Sequence, residues 1–177
     1  MGTSVTISAA TDQDAEQILK LQYLCYQEEA ARYDDYGIEP LTQTLESLRA
    51  ELAEGCAVVA RLGAEVVGSV RGTAEADGTG WIAKLIVHPR LQRHGLGGRL
   101  LTAVEDRLAA ERSVERFRLL ADHRGEGLPL YRSHGYAPVG TERSGTRLSL
   151  VALEKGPASE PRETATPCAP GAATAGR

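Results

Sequence analysis

No apolar run in the chain approaches the about 18 residues that span a bilayer, and the opening residues MGTSVTI lack a basic region followed by an apolar one. Membrane insertion and export are therefore not expected, and the sequence reads as that of a cytoplasmic protein. A basic excess is missing too. Lys and Arg number 20 against 24 Asp and Glu, for a net charge of −4 and a pI near 5.6. This argues against a nucleic-acid partner, whose phosphates need a basic stripe. A mildly acidic field instead favours cationic, amine-bearing ligands. The three cysteines, Cys25, Cys56 and Cys168, show no C-x-x-C spacing and the four histidines no ligand pattern, so reduced thiols and no metal site are expected.

What remains suffices for one domain of 177 residues, a length that buries roughly 70% of the unfolded surface. Beyond Lys155 aliphatic periodicity gives way to Ala, Pro, Gly, Thr and Glu. Residues 1–155 are expected to fold and 156–177 to form a disordered tail. Val5 to Ser8 alternates as a strand, and Thr11 with Asp14 reads as a helix start. Ala15, Ile18, Leu19, Leu21, Leu24 and Cys25 recur at near-helical spacing, predicting a helix to about Arg32 that Tyr33-Asp34-Asp35-Tyr36-Gly37 ends. A second helix on Leu45, Leu48 and Leu52 begins near Thr42 or Thr44 and stops at Gly55. Strands follow at 56–62, 66–73 and 81–87, the first two joined by a turn at Gly63-Ala64-Glu65. A helix buried through Leu100, Leu101, Val104 and Leu108 leads to a strand at 117–121. A short helix at 128–134, started by Pro129 and stopped by Gly135, precedes strands at 137–141 and 147–153. The order β-α-α-β-β-β-α-β-α-β-β places the chain in the α/β class.

The most telling stretch is VHPRLQRHGLGGRLL at residues 87–101, where a β-branched strand ends at Pro89 and a glycine-laced turn opens into an amphipathic helix. Gly95, Gly97 and Gly98 keep side chains off the main chain, so several N–H groups can point at one anion. The positive end of the helix dipole falls at the same place, and Arg93 and His94 can add charge or hydrogen bonds to a phosphate. Two common phosphate cradles are excluded by spelling. The third glycine of a dinucleotide fingerprint is replaced by Leu100, and none of the three lysines completes a P-loop.

The segment does match Q/R-x-x-G-x-G/A, as Gln92-Arg93-His94-Gly95-Leu96-Gly97, behind an L-x-V-x-P strand end at Leu85, Val87 and Pro89. This resembles the acyl-CoA-binding motif of the GNAT superfamily of N-acetyltransferases, whose order of elements the chain follows from end to end. The resemblance implies the GNAT fold, a mixed central sheet of about seven strands flanked by about four helices and splayed at the cofactor strand. It implies acetyl-CoA as acyl donor. The pyrophosphate would be gripped by Gln92, Arg93, His94, Gly95, Leu96, Gly97 and Gly98, and the pantetheine arm by the main chain of Leu85, Ile86 and Val87. A main-chain N–H here would also polarise the acetyl carbonyl, as in an oxyanion hole.

A second motif, LYRSHGY at 130–136, resembles the family's L-Y-x-x-x-G-F/Y signature, which assigns Tyr131 to the thioester sulfur and leaves Tyr136 to packing. A phenol of pKa about 10 facing a thiolate of pKa about 8.5 would protonate it uphill by about 2 kcal/mol, so a hydrogen bond to the departing sulfur is as plausible as proton transfer. Family members often carry an Asn just ahead of this helix. Here the segment is Asp122-His123-Arg124-Gly125-Glu126-Gly127, and Arg124 or the local backbone would have to substitute.

The acceptor side is less sharply drawn. An alkylammonium of pKa about 10.4 is neutral about once in 2,500 molecules at pH 7, a handicap of about 4.6 kcal/mol, so a base is expected. The carboxylate that many family members hold on the strand reading Trp81-Ile82-Ala83-Lys84 is absent here. Glu75, Asp77, Glu39, Asp34 and Asp35 are the candidates. Tyr33, Asp34, Asp35 and Tyr36 could receive a cationic amine, and Trp81 could wall the cleft or fill the core, the core being the favoured place. The function implied is an acetyl-CoA-dependent N-acetyltransferase acting on a primary amine of a small molecule. A non-catalytic acyl-CoA sensor and a protein or peptide N-acetyltransferase are the alternatives, and a homodimer is compatible with either.

Overall fold

The computed structural model describes residues 4–144 and 148–156. Strands β1 (Val5–Ala9), β2 (Cys56–Leu62), β3 (Glu65–Ala74), β4 (Thr79–Val87), β5 (Arg116–Asp122), β6 (Ala137–Ser144) and β7 (Leu148–Lys155) form one sheet. Its order is β1-β2-β3-β4-β5-β7-β6. Only β4 and β5 run parallel, joined through a helix, while every other neighbour is antiparallel. The expected tail lies outside the described residues except for Gly156, as does Cys168. No helix among the described residues is long and apolar enough to cross a membrane.

Helices α1 (Ala15–Cys25), α2 (Gln27–Tyr33), α3 (Glu39–Thr42) and α4 (Leu45–Glu54) precede β2, α5 (Leu96–Arg112) links β4 to β5, and α6 (Leu128–Ser133) follows β5. The single helix expected to Arg32 is divided at Tyr26, which sits at φ −88° and ψ 0° between α1 and α2. Neither Pro nor Gly marks the break, so apolar spacing alone ran the helix through it. The short α3, with Pro40 in its first turn, was not foreseen. Thr44 caps α4 as expected, its hydroxyl accepting from the Ser47 N–H at 3.1 Å.

The central strands bury both faces. Period-two alternation sorts the side chains of β2, while in β3 a bulge at Val67 resets the phase so that Val67 and Val70 share a face. Cys56, Val58 and Ala60 of β2, with Val67 and Val70 of β3, meet Leu100, Leu101, Val104 and Leu108 of α5. Val59 and Val66 point the other way, onto Ala15, Ile18, Leu21 and Leu48 of α1 and α4. Each fully buried Leu or Ile in these layers contributes roughly 2 kcal/mol. The sheet is thereby clamped between α5 and the α1/α4 pair, which holds the carboxyl ends of β4 and β5 in place.

Candidate active site

The sheet splits at the carboxyl ends of its two parallel strands. β4 and β5 pair only over Thr79–Ile82 against Arg116–Leu119. Beyond that, β5 stays with β7 as far as Asp122 while β4 stays with β3 as far as Val87. A bulge on β4 accompanies the split, for Ser69 opposes Ile86 but Arg71 opposes Ala83, so β4 carries an extra residue. Lys84 lies in the bulge at φ +54°. Its Nζ is 2.8 Å from Glu39 Oε2, 3.1 Å from Gln43 Oε1 and 3.4 Å from Glu51 Oε1. Gln43 Oε1 also accepts from Gln22 Nε2 at 3.0 Å, and Arg71 Nη2 donates to Gln22 Oε1 at 2.6 Å. Buried charge is costly unless paired. Here it is paired into a layer that ties α1, α3 and α4 to the bulged strand.

At the mouth of the split a groove of about 650 Å³ runs over the glycine turn. Leu85, Val87, Gln92, Arg93, Gly95, Leu96, Gly97 and Gly98 line it. Gly95, at φ +78°, is the N-cap of α5 and has no side chain to satisfy the first-turn N–H groups. A β-carbon on Gly95 would meet nothing within 4 Å, whereas one on Gly97 would lie 3.0 Å from Leu130 Cδ2 and one on Gly98 3.0 Å from the His134 ring. The three glycines therefore have different causes. Gly95 supplies the left-handed turn and an open approach, while Gly97 and Gly98 let α6 close onto α5. Gln92 Nε2 donates to the Val87 carbonyl at 3.1 Å, folding the loop back on β4. Two of the expected cofactor residues stand apart: His94 is exposed and outside the groove lining, and Ile86 is buried against α1 and lines only the cavity inside the split. An uncapped helix start facing an open groove suits a pyrophosphate, and the unpaired edge of β4 suits an amide-bearing arm.

Inside the split is a cavity of about 250 Å³ that shares Leu85, Val87, Gln92 and Tyr131 with the groove. Tyr131 lines both. Its ring packs edge-on to Tyr136, centroids 6.1 Å apart, and its hydroxyl makes no hydrogen bond among the described residues. Burial pushes the phenol up to about 12. Tyr136 is different, being buried with its hydroxyl donating to Glu105 Oε2 at 2.7 Å, which accords with packing. Ahead of α6, where family members often carry an Asn, Gly125, Glu126 and Gly127 line both spaces, and the Arg124 guanidinium lies over the Tyr33 ring at 5.2 Å. Cys25 also borders the cavity, its Sγ–H 3.5 Å from the Val87 carbonyl. Burial pushes this thiol up to about 11, so it stays protonated and is no nucleophile at neutral pH.

A third space of about 400 Å³ continues from the cavity toward α2 and α3, sharing Tyr26, Glu29, Lys84 and Asp122 with it. Trp81 walls this space, which corrects its favoured place in the core. Of the acidic candidates, Glu39 and Asp35 line it, Glu39 bound to Lys84 and Asp35 accepting from the Gly37 N–H at 3.0 Å. Glu75 and Asp77 belong to the β3–β4 turn, at the end of β4 away from the split, where Asp77 pairs with Arg116 at 3.2 Å. Asp34 ends α2 in the left-handed region and borders none of the three spaces. Tyr36 is exposed, and Tyr33 is buried with its hydroxyl donating to Asp122. Glu29 was missed. It borders both the cavity and the third space, and burial, reinforced by the nearby Asp122 charge and opposed by Arg32, raises its carboxyl above the ordinary range.

A mixed sheet opened between its parallel strands, with a glycine-turned helix at the opening, is the fold of an acyl-CoA-dependent acyltransferase. The model of the acetyltransferase (GNAT) family matches residues 15–136, more than half of the chain, and the chain belongs to that family. No curated protein matches it. Among solved structures it is similar to PaiA N-acetyltransferase from Thermoplasma acidophilum in complex with coenzyme A, at 16% identity and TM-score 0.71, covering 86% of this chain and 99% of that one. An aminoglycoside 6'-N-acetyltransferase complexed with coenzyme A is similar at 19% identity and TM-score 0.71, covering 88% and 99%. A GNAT-family acetyltransferase from Streptococcus pneumoniae is similar at 19% identity and TM-score 0.69, covering 86% and 99%. Membership of this family classes the protein with the acetyltransferases, and both complexed structures that it resembles hold coenzyme A.

Proposed function

We propose that the protein moves the acetyl group of acetyl-CoA to the nitrogen of a primary amine on a small molecule. The observation that carries this is the unpartnered Tyr131 hydroxyl on the boundary between groove and cavity. The ring is half-buried and the hydroxyl, uncommitted within the fold, is open to donate to a ligand in either space. The first turn of α5 with Arg93 would hold the pyrophosphate, and the main chain of Leu85 to Val87 the pantetheine arm. Tyr131 would donate to the sulfur as the C–S bond breaks. With the phenol at about 12 against about 8.5 for a thiol, outright proton transfer is uphill by about 5 kcal/mol, which makes the hydrogen bond its contribution. A third space of about 400 Å³, walled by Trp81 and bordered by Glu29 and Asp35, supports a small cationic acceptor.

Thiol release from acetyl-CoA, measured against polyamines, amino acids, aminoglycosides, arylamines and lysine peptides, tests the proposal. Turnover with at least one small amine is the expected result. Tight CoA binding without thiol release on any acceptor would instead mark an acyl-CoA sensor, and turnover on peptides alone a protein acetyltransferase.

A further inference from the structure

We infer that Glu29 is the proton acceptor for the attacking amine, a role that β4 cannot fill because no carboxylate lies between Thr79 and Val87. Six carboxylates line the cavity and the third space, and those other than Glu29 are either engaged or confined to one of the two. Asp122 accepts from Arg32, from the Tyr33 hydroxyl and from the Arg124 N–H. Glu39 is held by Lys84. Asp35 reaches only the third space, and Glu28 and Glu126 line the cavity but do not reach it. Glu29 alone borders both spaces with no hydrogen bond or salt bridge among the described residues. It shares the cavity lining with Tyr131 and the third-space lining with Trp81, so it lies where the space proposed for the amine joins the space proposed for the thioester.

The step balances without a further reactant. The Glu29 carboxylate takes one proton from the ammonium, and the freed nitrogen pair forms the C–N bond to the acetyl carbon as the C–S bond breaks. The second N–H proton passes to the sulfur, and Glu29 returns its proton to water. The surroundings favour this work. Burial and the Asp122 charge raise the Glu29 carboxyl, while Arg32, which lines the cavity, opposes them and Lys84, which borders both spaces, is occupied by Glu39 and Glu51. A carboxylate raised toward neutrality is the better base for an ammonium.

The inference rests on amine acetylation as the activity, and the test separates the two. kcat/KM for an alkylamine acceptor is measured against pH in the wild type and in Glu29→Gln, beside an arylamine that is already neutral at pH 7, with CoA affinity as the folding control. Wild-type kcat/KM should level off above the carboxyl's range, whereas in Glu29→Gln it should climb about tenfold per pH unit toward the amine's own pKa. At pH 7 the variant should lose about 10² or more on the alkylamine and little on the arylamine. A wild-type profile that already climbs tenfold per unit, or an equal loss on both acceptors with CoA affinity intact, would overturn the role of Glu29. Absence of turnover on every amine by the wild type would defeat the activity itself. Should Glu29→Gln fail to bind CoA, the wild-type profile alone decides.

Discussion

The ring of Tyr131 rests against Gly127, where an added β-carbon would lie 3.2 Å from Tyr131 Cε2. The same glycine's carbonyl accepts the Tyr131 N–H at 3.3 Å, so both backbone and ring of this tyrosine are set by one residue of the preceding loop. Removing the hydroxyl should leave that support unchanged. Tyr131→Phe is expected to lower kcat by about 10² with CoA affinity preserved, because only the hydrogen bond to the leaving sulfur is lost. Steady-state kinetics with calorimetric CoA titration check this, and an unchanged kcat would remove Tyr131 from the chemistry.

Gly127→Ala should imitate part of that loss while keeping the hydroxyl. The new methyl must displace the ring by a few tenths of an ångström, and misplaced catalytic groups lose rate steeply. The expected outcome is a kcat reduced by about tenfold or more, with thermal stability little changed. A variant as fast as the wild type would show that the ring tolerates the shift.

Gly95 and Gly98 should separate binding from packing. At Gly95 nothing stands within 4 Å of an added β-carbon and φ is +78°, so Gly95→Leu costs the fold about 1–2 kcal/mol of left-handed strain while its side chain enters the groove. CoA affinity is expected to fall beyond detection. Gly98→Ala meets the His134 ring at 3.0 Å and should register mainly as a lowered unfolding midpoint. Urea unfolding and CoA titration of both variants check the contrast, and normal affinity in Gly95→Leu would defeat the cradle.

The glycine turn was legible because its cause is local: Gly95 adopts the left-handed conformation that few other residues tolerate, and a helix must start beyond it. Strand β2 was legible at both ends because Cys56 to Leu62 is apolar on two faces and bounded by Gly55 and Gly63. Glu29 was hidden because its position depends on the break at Tyr26, which no Pro or Gly announces. Glu75 and Asp77 drew attention through closeness in sequence to β4, yet a hairpin turn lies at one end of its strands and the split at the other. The polar layer of Gln22, Gln43, Arg71 and Lys84 joins four distant segments, and spacing along the chain carries no trace of it.

Lys84 offers a test of how the bulge is held. Both Lys84→Ala and Lys84→Gly remove the contacts to Glu39, Gln43 and Glu51, but only glycine relieves the strain of φ +54°. Lys84→Gly should therefore be the more stable of the two by about 1 kcal/mol, although both fall below the wild type. Chemical denaturation of the three proteins checks the order, and an alanine variant at least as stable as the glycine variant would show that the bulge carries no such strain.

The join between α1 and β2 should show itself in the acid limb of stability. Burial alone would raise the Asp14 carboxyl, but Arg61 grips both its oxygens, at 2.6 and 2.7 Å, and the Thr11 N–H donates at 2.7 Å. The balance lowers it below its ordinary value of 3.8. Since the folded form holds its proton less readily than the unfolded chain, the contribution is fully present above that ordinary value and is lost as pH falls through the lowered folded one. Asp14→Asn removes the charge, so it should be less stable than the wild type at pH 7. The gap should narrow as the pH falls below about 3.8, where the unfolded wild-type chain begins to take up the proton. Urea midpoints of the two proteins, followed from neutral pH into this acid range, check the prediction. A gap that stays constant throughout would show that the Asp14 charge does not support the fold.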